Sequence, residues 1–126
     1  MAQQQSRIIP IYTSQGDAEA FLLYPYIYNR LGEWIGWVTP QREVYSVMGY
    51  FVGTLTSDPR IVRHRSGDLD KPRLTPPPQP KRITTPAQVP LAPMMQELSY
   101  GLIDVLVEEP ERLHTIDSGE MRQDMD

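Results

Sequence analysis

The sequence predicts a mainly β fold: four β-hairpin repeats around a pseudo-four-fold axis, a proline-rich linker, then one C-terminal amphipathic α-helix. Three observations carry this expectation. Residues 27–39, IYNRLGEWIGWVT, and 44–56, VYSVMGYFVGTLT, repeat one pattern 17 residues apart. Gly16, Gly32, Gly49 and Gly67 recur at intervals of 16, 17 and 18 residues. A dense run of prolines follows the last of them and excludes regular helix or central strand there. The segments expected are an N-terminal tail at 1–9, a four-hairpin domain at 10–75, a linker at 76–93, a helix at 94–109 and an acidic flexible tail at 110–126.

Each repeat begins with a β-branched residue followed by tyrosine, as in Ile11-Tyr12, Ile27-Tyr28 and Val44-Tyr45, a pair suited to a pleated strand. Four residues after the tyrosine stands a glycine, the residue that best adopts positive φ in a short hairpin loop. The return strand then alternates, with Trp34, Gly36 and Val38 on one face and Ile35, Trp37 and Thr39 on the other. Ala20, Gly36 and Gly53 place a small residue at one position per copy, which suggests strands converging on a common axis. In the fourth copy Arg63 replaces the tyrosine, and Lys71 and Pro72 break the return strand. A lone hairpin is marginal in water, so four must share a core.

These residues resemble the four-fold beta flower proteins, small bacterial domains of four hairpins that show an IY-x-x-x-G motif, a glycine-containing return strand and often a proline-rich tail. The resemblance covers about residues 10–75, with IYNRLGEWIGWV its best segment. It implies a fold and no established activity, so no functional residue carries over from it.

Residues 76–93, PPPQPKRITTPAQVPLAP, read as an extended spacer running along the domain or away from it. Beyond it, Met95, Leu98, Leu102, Val105 and Leu106 fall on one stripe of a helix, with Pro93 in its first turn and Pro110 past its end. A competing strand over LIDVLVE stays open. An apolar stripe has to be covered, by the β domain, by a second copy or by another protein.

The chain has no cysteine, which removes disulfides, thiolate metal sites and cysteine nucleophiles. The N-terminal MAQQQSRIIPIY lacks the apolar run of a signal peptide, and no stretch is long enough to span a membrane, so no membrane insertion and a cytoplasmic location are expected. His64 and His114 stand in a basic turn and a polar tail without a neighbouring ligand pattern, and no glycine-rich phosphate loop occurs. No catalytic, metal or cofactor residue is therefore expected. The net charge of −4 hides a division: seven Arg or Lys lie within 57–83, and nine carboxylates lie from Glu97 onward. Such blocks attract each other or separate partners.

The expectation is a non-enzymatic accessory or structural protein, a protein–protein interaction module with a rigid β head. Its helix stripe would dock on another protein or on a second copy. The alternative is phosphate-backbone binding to nucleic acid through the basic segment 60–82, with Arg60, Arg63, Arg65, Lys81 and Arg82 as contacts.

Overall fold

The computed structural model describes residues 7–67 and 71–117. Eight antiparallel strands form one curled sheet in sequence order: β1 Ile9–Tyr12, β2 Ala18–Leu23, β3 Tyr26–Asn29, β4 Trp34–Val38, β5 Glu43–Ser46, β6 Phe51–Leu55, β7 Ile61–His64 and β8 Leu102–Asp104. A four-residue helix α1, Val105–Glu108, and a 3-10 turn, Pro110–Arg112, follow. The fold is mainly β, as the repeats predict, with a short C-terminal helix.

One fully buried residue per repeat builds the centre: Ile11, Ile27, Val44 and Ile61 each have 0% exposure. They pack in one core with Leu22, Ile35, Val38, Val52, Leu55, Val105 and Leu113. In the first three hairpins the register shifts just after this central residue, between Ile11/Tyr12, Ile27/Tyr28 and Val44/Tyr45. The bulge breaks strict alternation, so Ile35 and Val38 both reach the core although they are odd and even along β4. The small residues sit where neighbouring hairpins press together. A Cβ on Gly36 would lie 2.7 Å from the Tyr45 carbonyl oxygen, and one on Gly53 2.6 Å from that of Val62.

The residue after each tyrosine makes the loop. Thr13, Asn29 and Ser46 each accept two backbone N–H groups on a side-chain oxygen, from Gln15 and Asp17, from Leu31 and Glu33, and from Met48 and Tyr50. Their carbonyls accept the N–H of Gly16, Gly32 and Gly49. These are Ser/Thr and Asx turns, which those residue types favour. The loop glycines have φ of +92°, +82° and +91°, and Gly67 has +105°.

The proline-rich segment runs along the β domain as a belt. It passes the loops in reverse order: the Leu74 N–H donates to the Gly49 carbonyl (2.9 Å), and the Ile83 N–H to that of Gly32 (3.1 Å). At hairpin 1 it passes again, where the Tyr12 hydroxyl donates to the Pro90 carbonyl at 2.8 Å. Arg73 and Arg82 donate Nε to the carbonyls of Met48 and Leu31, the residues just before those glycines. The contacts at hairpins 3 and 2 stand nine residues apart, and the sequence matches them: Arg73-Leu74-Thr75 and Arg82-Ile83-Thr84 are one motif nine residues apart. Nine residues of polyproline II reach about 28 Å, so an extended chain steps from one loop to the next.

The belt ends by completing hairpin 4. β7 pairs with β8 through Val62–Asp104, Arg63–Ile103 and His64–Leu102, and the Arg65 N–H donates to the Gly101 carbonyl at 2.7 Å. The return strand thus comes from the far side of the belt, and the β domain extends beyond residue 75.

The helix expected at 94–109 differs accordingly. Residues 94–99 are irregular, 102–104 are strand, and helix is confined to Val105–Glu108. An isolated helix of this length is marginal, and pairing with β7 satisfies the backbone groups of 102–104 in a ladder instead. Residues 110–117 also differ from a free tail: Leu113 is buried, its Cδ2 only 2.7 Å from where a Gly36 Cβ would stand. The remainder of the acidic tail, 118–126, and the N-terminal residues 1–6 lie outside the described residues.

Candidate binding site at the seam of hairpins 1 and 4

β1 and β8 are the two edges of the sheet, and a hydrogen bond from the Ser14 N–H, in the loop after β1, to the Asp104 carboxylate at the end of β8 joins the two ends at a seam. A turn at 56–60 delivers Arg60 there: the Thr56 hydroxyl oxygen accepts the Arg60 N–H at 2.8 Å, and the Tyr12 N–H donates to the Pro59 carbonyl at 3.0 Å. Arg60 is 3% exposed and bonds three segments at once. Its Nε and Nη2 meet Asp58 Oδ2 (3.0 and 2.7 Å), Nη1 donates to Ser14 Oγ (2.8 Å), and Nη2 also reaches the Gln96 carbonyl (3.0 Å). Burial pushes the Asp58 carboxyl up, but hydrogen bonds from Arg60 and from the Thr56 hydroxyl outweigh it and hold the group below its ordinary range.

Opposite Arg60 stands Asp104, at the end of β8 and 5% exposed. Its Oδ2 accepts the Ser14 N–H at 2.6 Å. Its Oδ1 is the buried side-chain oxygen that, among the described residues, has no hydrogen-bond partner. Both residues line a cavity of about 380 Å³, walled by hairpin loop 1, residues 95–100 and α1. Arg65 borders it, donating Nε to the Tyr100 carbonyl (2.8 Å), lying 4.7 Å over the Tyr100 ring, and pairing with Glu108 at 3.8 Å. A second groove of about 470 Å³ lies between Ile8–Pro10 and Pro86–Pro90.

The basic residues expected to contact phosphate are divided by the fold. Arg60 is held as described, and Arg63, 7% exposed, forms a bidentate pair with Glu109, Nε to Oε1 and Nη2 to Oε2, both at 2.7 Å. Lys81 and Arg82 are exposed on the belt, Arg82 bonded beside hairpin 2, whereas Arg65 lies at hairpin 4. The basic middle and the acidic end meet within the chain, through Arg63–Glu109 and Arg65–Glu108.

The apolar stripe is likewise divided. Met95 and Leu98 lie on the irregular strap and Leu102 on β8. Val105 is in the core, and Leu106 is packed against it. Among the described residues, no group of three His, Asp or Glu side chains is placed to hold a metal ion, and no helix is long and apolar enough to cross a membrane.

Asp104 and Ser14 were not among the residues that spacing singles out. The available signal was a lone aspartate inside the apolar run Leu102-Ile103-Asp104-Val105-Leu106, a buried polar position needing a partner.

The family model described as 4-fold beta flower protein matches residues 9–100, which include β1–β7 and the whole belt. The chain belongs to the 4-fold beta flower family. In this beta flower protein the match stops just short of β8, the strand that completes hairpin 4. Comparison with curated proteins and with solved structures finds no significant match.

Proposed function

We propose that this beta flower protein is a non-enzymatic accessory protein, a rigid β head that binds a partner protein through residues 86–101 as they cross hairpin 1 and the seam. The observation that carries this reading is the exposure of apolar side chains on that strap. Leu91 is 95% exposed, Met94 100% and Tyr100 83%. Single exposed apolar residues are ordinary, but three within ten residues, on a strap that lines two grooves, favour a surface that is covered in use. The strap replaces the helix stripe as the contact. The alternative of nucleic-acid binding draws less support, because the buried Arg60 and Arg63 are already paired with Asp58 and Glu109.

The test is co-purification of the full chain after nuclease treatment, beside the double substitution Leu91→Asp and Met94→Asp. Both side chains are solvated, so the fold tolerates the change. A stoichiometric protein, or a second copy seen by light scattering, is expected with the unsubstituted chain and lost from the variant. Retention by the variant, or no protein partner with either chain, overturns the reading.

A further inference from the structure

We propose that the loop of hairpin 1 is a receptor for an extended segment of a partner protein that carries arginine followed by leucine or isoleucine. The inference deepens the proposed function and rests on it for the source of that segment, the protein held where residues 86–101 cross hairpin 1.

The belt itself shows what such a loop binds. Over hairpin 3, the Arg73 Nε donates to the Met48 carbonyl at 2.7 Å and the Leu74 N–H to the Gly49 carbonyl at 2.9 Å. Over hairpin 2, Arg82 and Ile83 make the same two bonds, to Leu31 at 3.2 Å and to Gly32 at 3.1 Å. Each loop thus presents two successive carbonyls, one to a guanidinium and one to the next backbone amide. The residue after the glycine flanks the arginine in both places. The Arg73 guanidinium lies 4.8 Å over the Tyr50 ring, and Arg82 lines one small pocket together with Glu33.

Hairpin 1 has the same loop without that occupant. The Gly16 N–H donates to the Thr13 carbonyl and Gly16 has φ +92°, as its counterparts do. Nine residues past Arg82-Ile83, however, the belt offers Leu91-Ala92, so no guanidinium is supplied to the Gln15 carbonyl. The belt also stands off here. The nearest atom to a would-be Gly16 Cβ is the Ala92 Cβ at 4.0 Å, where Gly32 and Gly49 have a belt carbonyl oxygen at 1.9 and 2.0 Å. Among the described residues, the carbonyls of Gln15 and Gly16 accept no hydrogen bond, and both residues are exposed, whereas Gly32 and Gly49 are buried beneath the belt.

Charge favours the same occupant. Asp17 takes the place of Glu33 and Tyr50, directly after the glycine, and is exposed. Two carbonyls and a carboxylate accept hydrogen bonds and donate none, so the loop selects a donor, and a guanidinium beside Asp17 gains charge-assisted attraction as well. The belt motifs at Arg73 and Arg82 are already seated on their own loops, in this chain and in any copy of it, which leaves a different protein as the source. Recognition of this kind adds an extended segment by main-chain bonds and reads it by one anchoring side chain.

The experiment is a titration of the 15N-labelled full chain, following backbone amide shifts. The probe is an acetylated peptide amide with the sequence of residues 81–86, Lys-Arg-Ile-Thr-Thr-Pro, beside the same peptide with norleucine in place of arginine. Saturable shifts are expected at Gln15, Gly16, Asp17 and Ala92, with the norleucine peptide binding roughly tenfold more weakly. Gly16→Ala puts a Cβ where the incoming carbonyl must lie and is expected to abolish saturation. Leu91→Arg, at an exposed position, serves if that variant misfolds: it gives the belt its own guanidinium for hairpin 1 and is expected to exclude the peptide. Asp17→Asn is expected to weaken binding about two- to threefold. Equal affinity for both peptides, no saturation at ~10 mM, shifts confined to Gly32 and Gly49, or unchanged affinity in Gly16→Ala and Leu91→Arg overturns the proposal. Self-association of the unsubstituted chain that Gly16→Ala abolishes assigns the loop to a second copy and overturns it too. Peptide binding at Gly16 without a protein partner overturns the proposed function alone. A partner kept by the Gly16→Ala chain but lost with Leu91→Asp and Met94→Asp overturns the loop receptor alone.

Discussion

Gly32 and Gly49 show how one residue serves two needs at once. Both have positive φ, and both receive the belt so closely that a Cβ would meet a carbonyl oxygen, that of Ile83 at 1.9 Å and that of Leu74 at 2.0 Å. Gly67 has positive φ as well, with nothing within 4 Å of its would-be Cβ among the described residues. Gly49→Ala is therefore expected to lower unfolding free energy by about 2–4 kcal/mol, and Gly67→Ala by about 1–2 kcal/mol. Paired urea melts check the difference, and equal losses would show that the belt does not press on the loop. The conformational need of these glycines was legible in the Tyr-x3-Gly spacing, because a hairpin loop is a local signal. The contact need was not, because the neighbour lies 25 residues away for Gly49 and 51 for Gly32.

Among the elements, β8 and α1 are where local pattern and tertiary structure diverge. Apolar residues at 95, 98, 102, 105 and 106 fit a helix period, yet Leu102–Asp104 pair with β7 and leave α1 a single turn. The same segment, 94–109, contains the competing strand, and only the vacant edge of β7 decides between them, which no local window contains. The Arg63–Glu109 pair locks this junction. Hydrogen bonds from Arg63 first, and then from Arg112, hold the Glu109 carboxyl down at about 2, against 4.5 ordinarily, with burial opposing them. A carboxyl whose pKa is depressed on folding stabilises the fold above its unfolded value and loses that contribution as pH falls through the folded one. Stability is thus expected to decline between about pH 4.5 and 2, by at most about 3 kcal/mol for this group. Chemical denaturation across that range checks it: Glu109→Gln should be less stable at pH 7 and show a shallower decline, and an unchanged slope would contradict the assignment.

Across the whole molecule, the chain makes four hairpin steps in one direction and one continuous circuit back. Hairpins 1 to 3 were readable from residues 11–56, since each is closed within its own repeat. The circuit was half-readable: the recurrence of Arg-Leu-Thr and Arg-Ile-Thr nine residues apart is visible, but its meaning needs the loops that the belt meets. The seam site was the least readable. Ser14, Arg60, Gln96 and Asp104 come from four segments and are joined only when hairpin 4 is completed. The seam, the cavity and the exposed strap all depend on the belt holding its register.

Amide hydrogen exchange on the full chain tests that dependence most directly. The amides of Leu74, Ile83 and Leu102 each donate to a backbone carbonyl, those of Gly49, Gly32 and Ser99. If the belt holds its register, Leu74 and Ile83 exchange as slowly as amides of the hairpin loops, while Thr75 and Thr84 beside them exchange fast. Uniformly fast exchange from residue 71 to 101 would contradict a registered belt, and with it the seam built upon it.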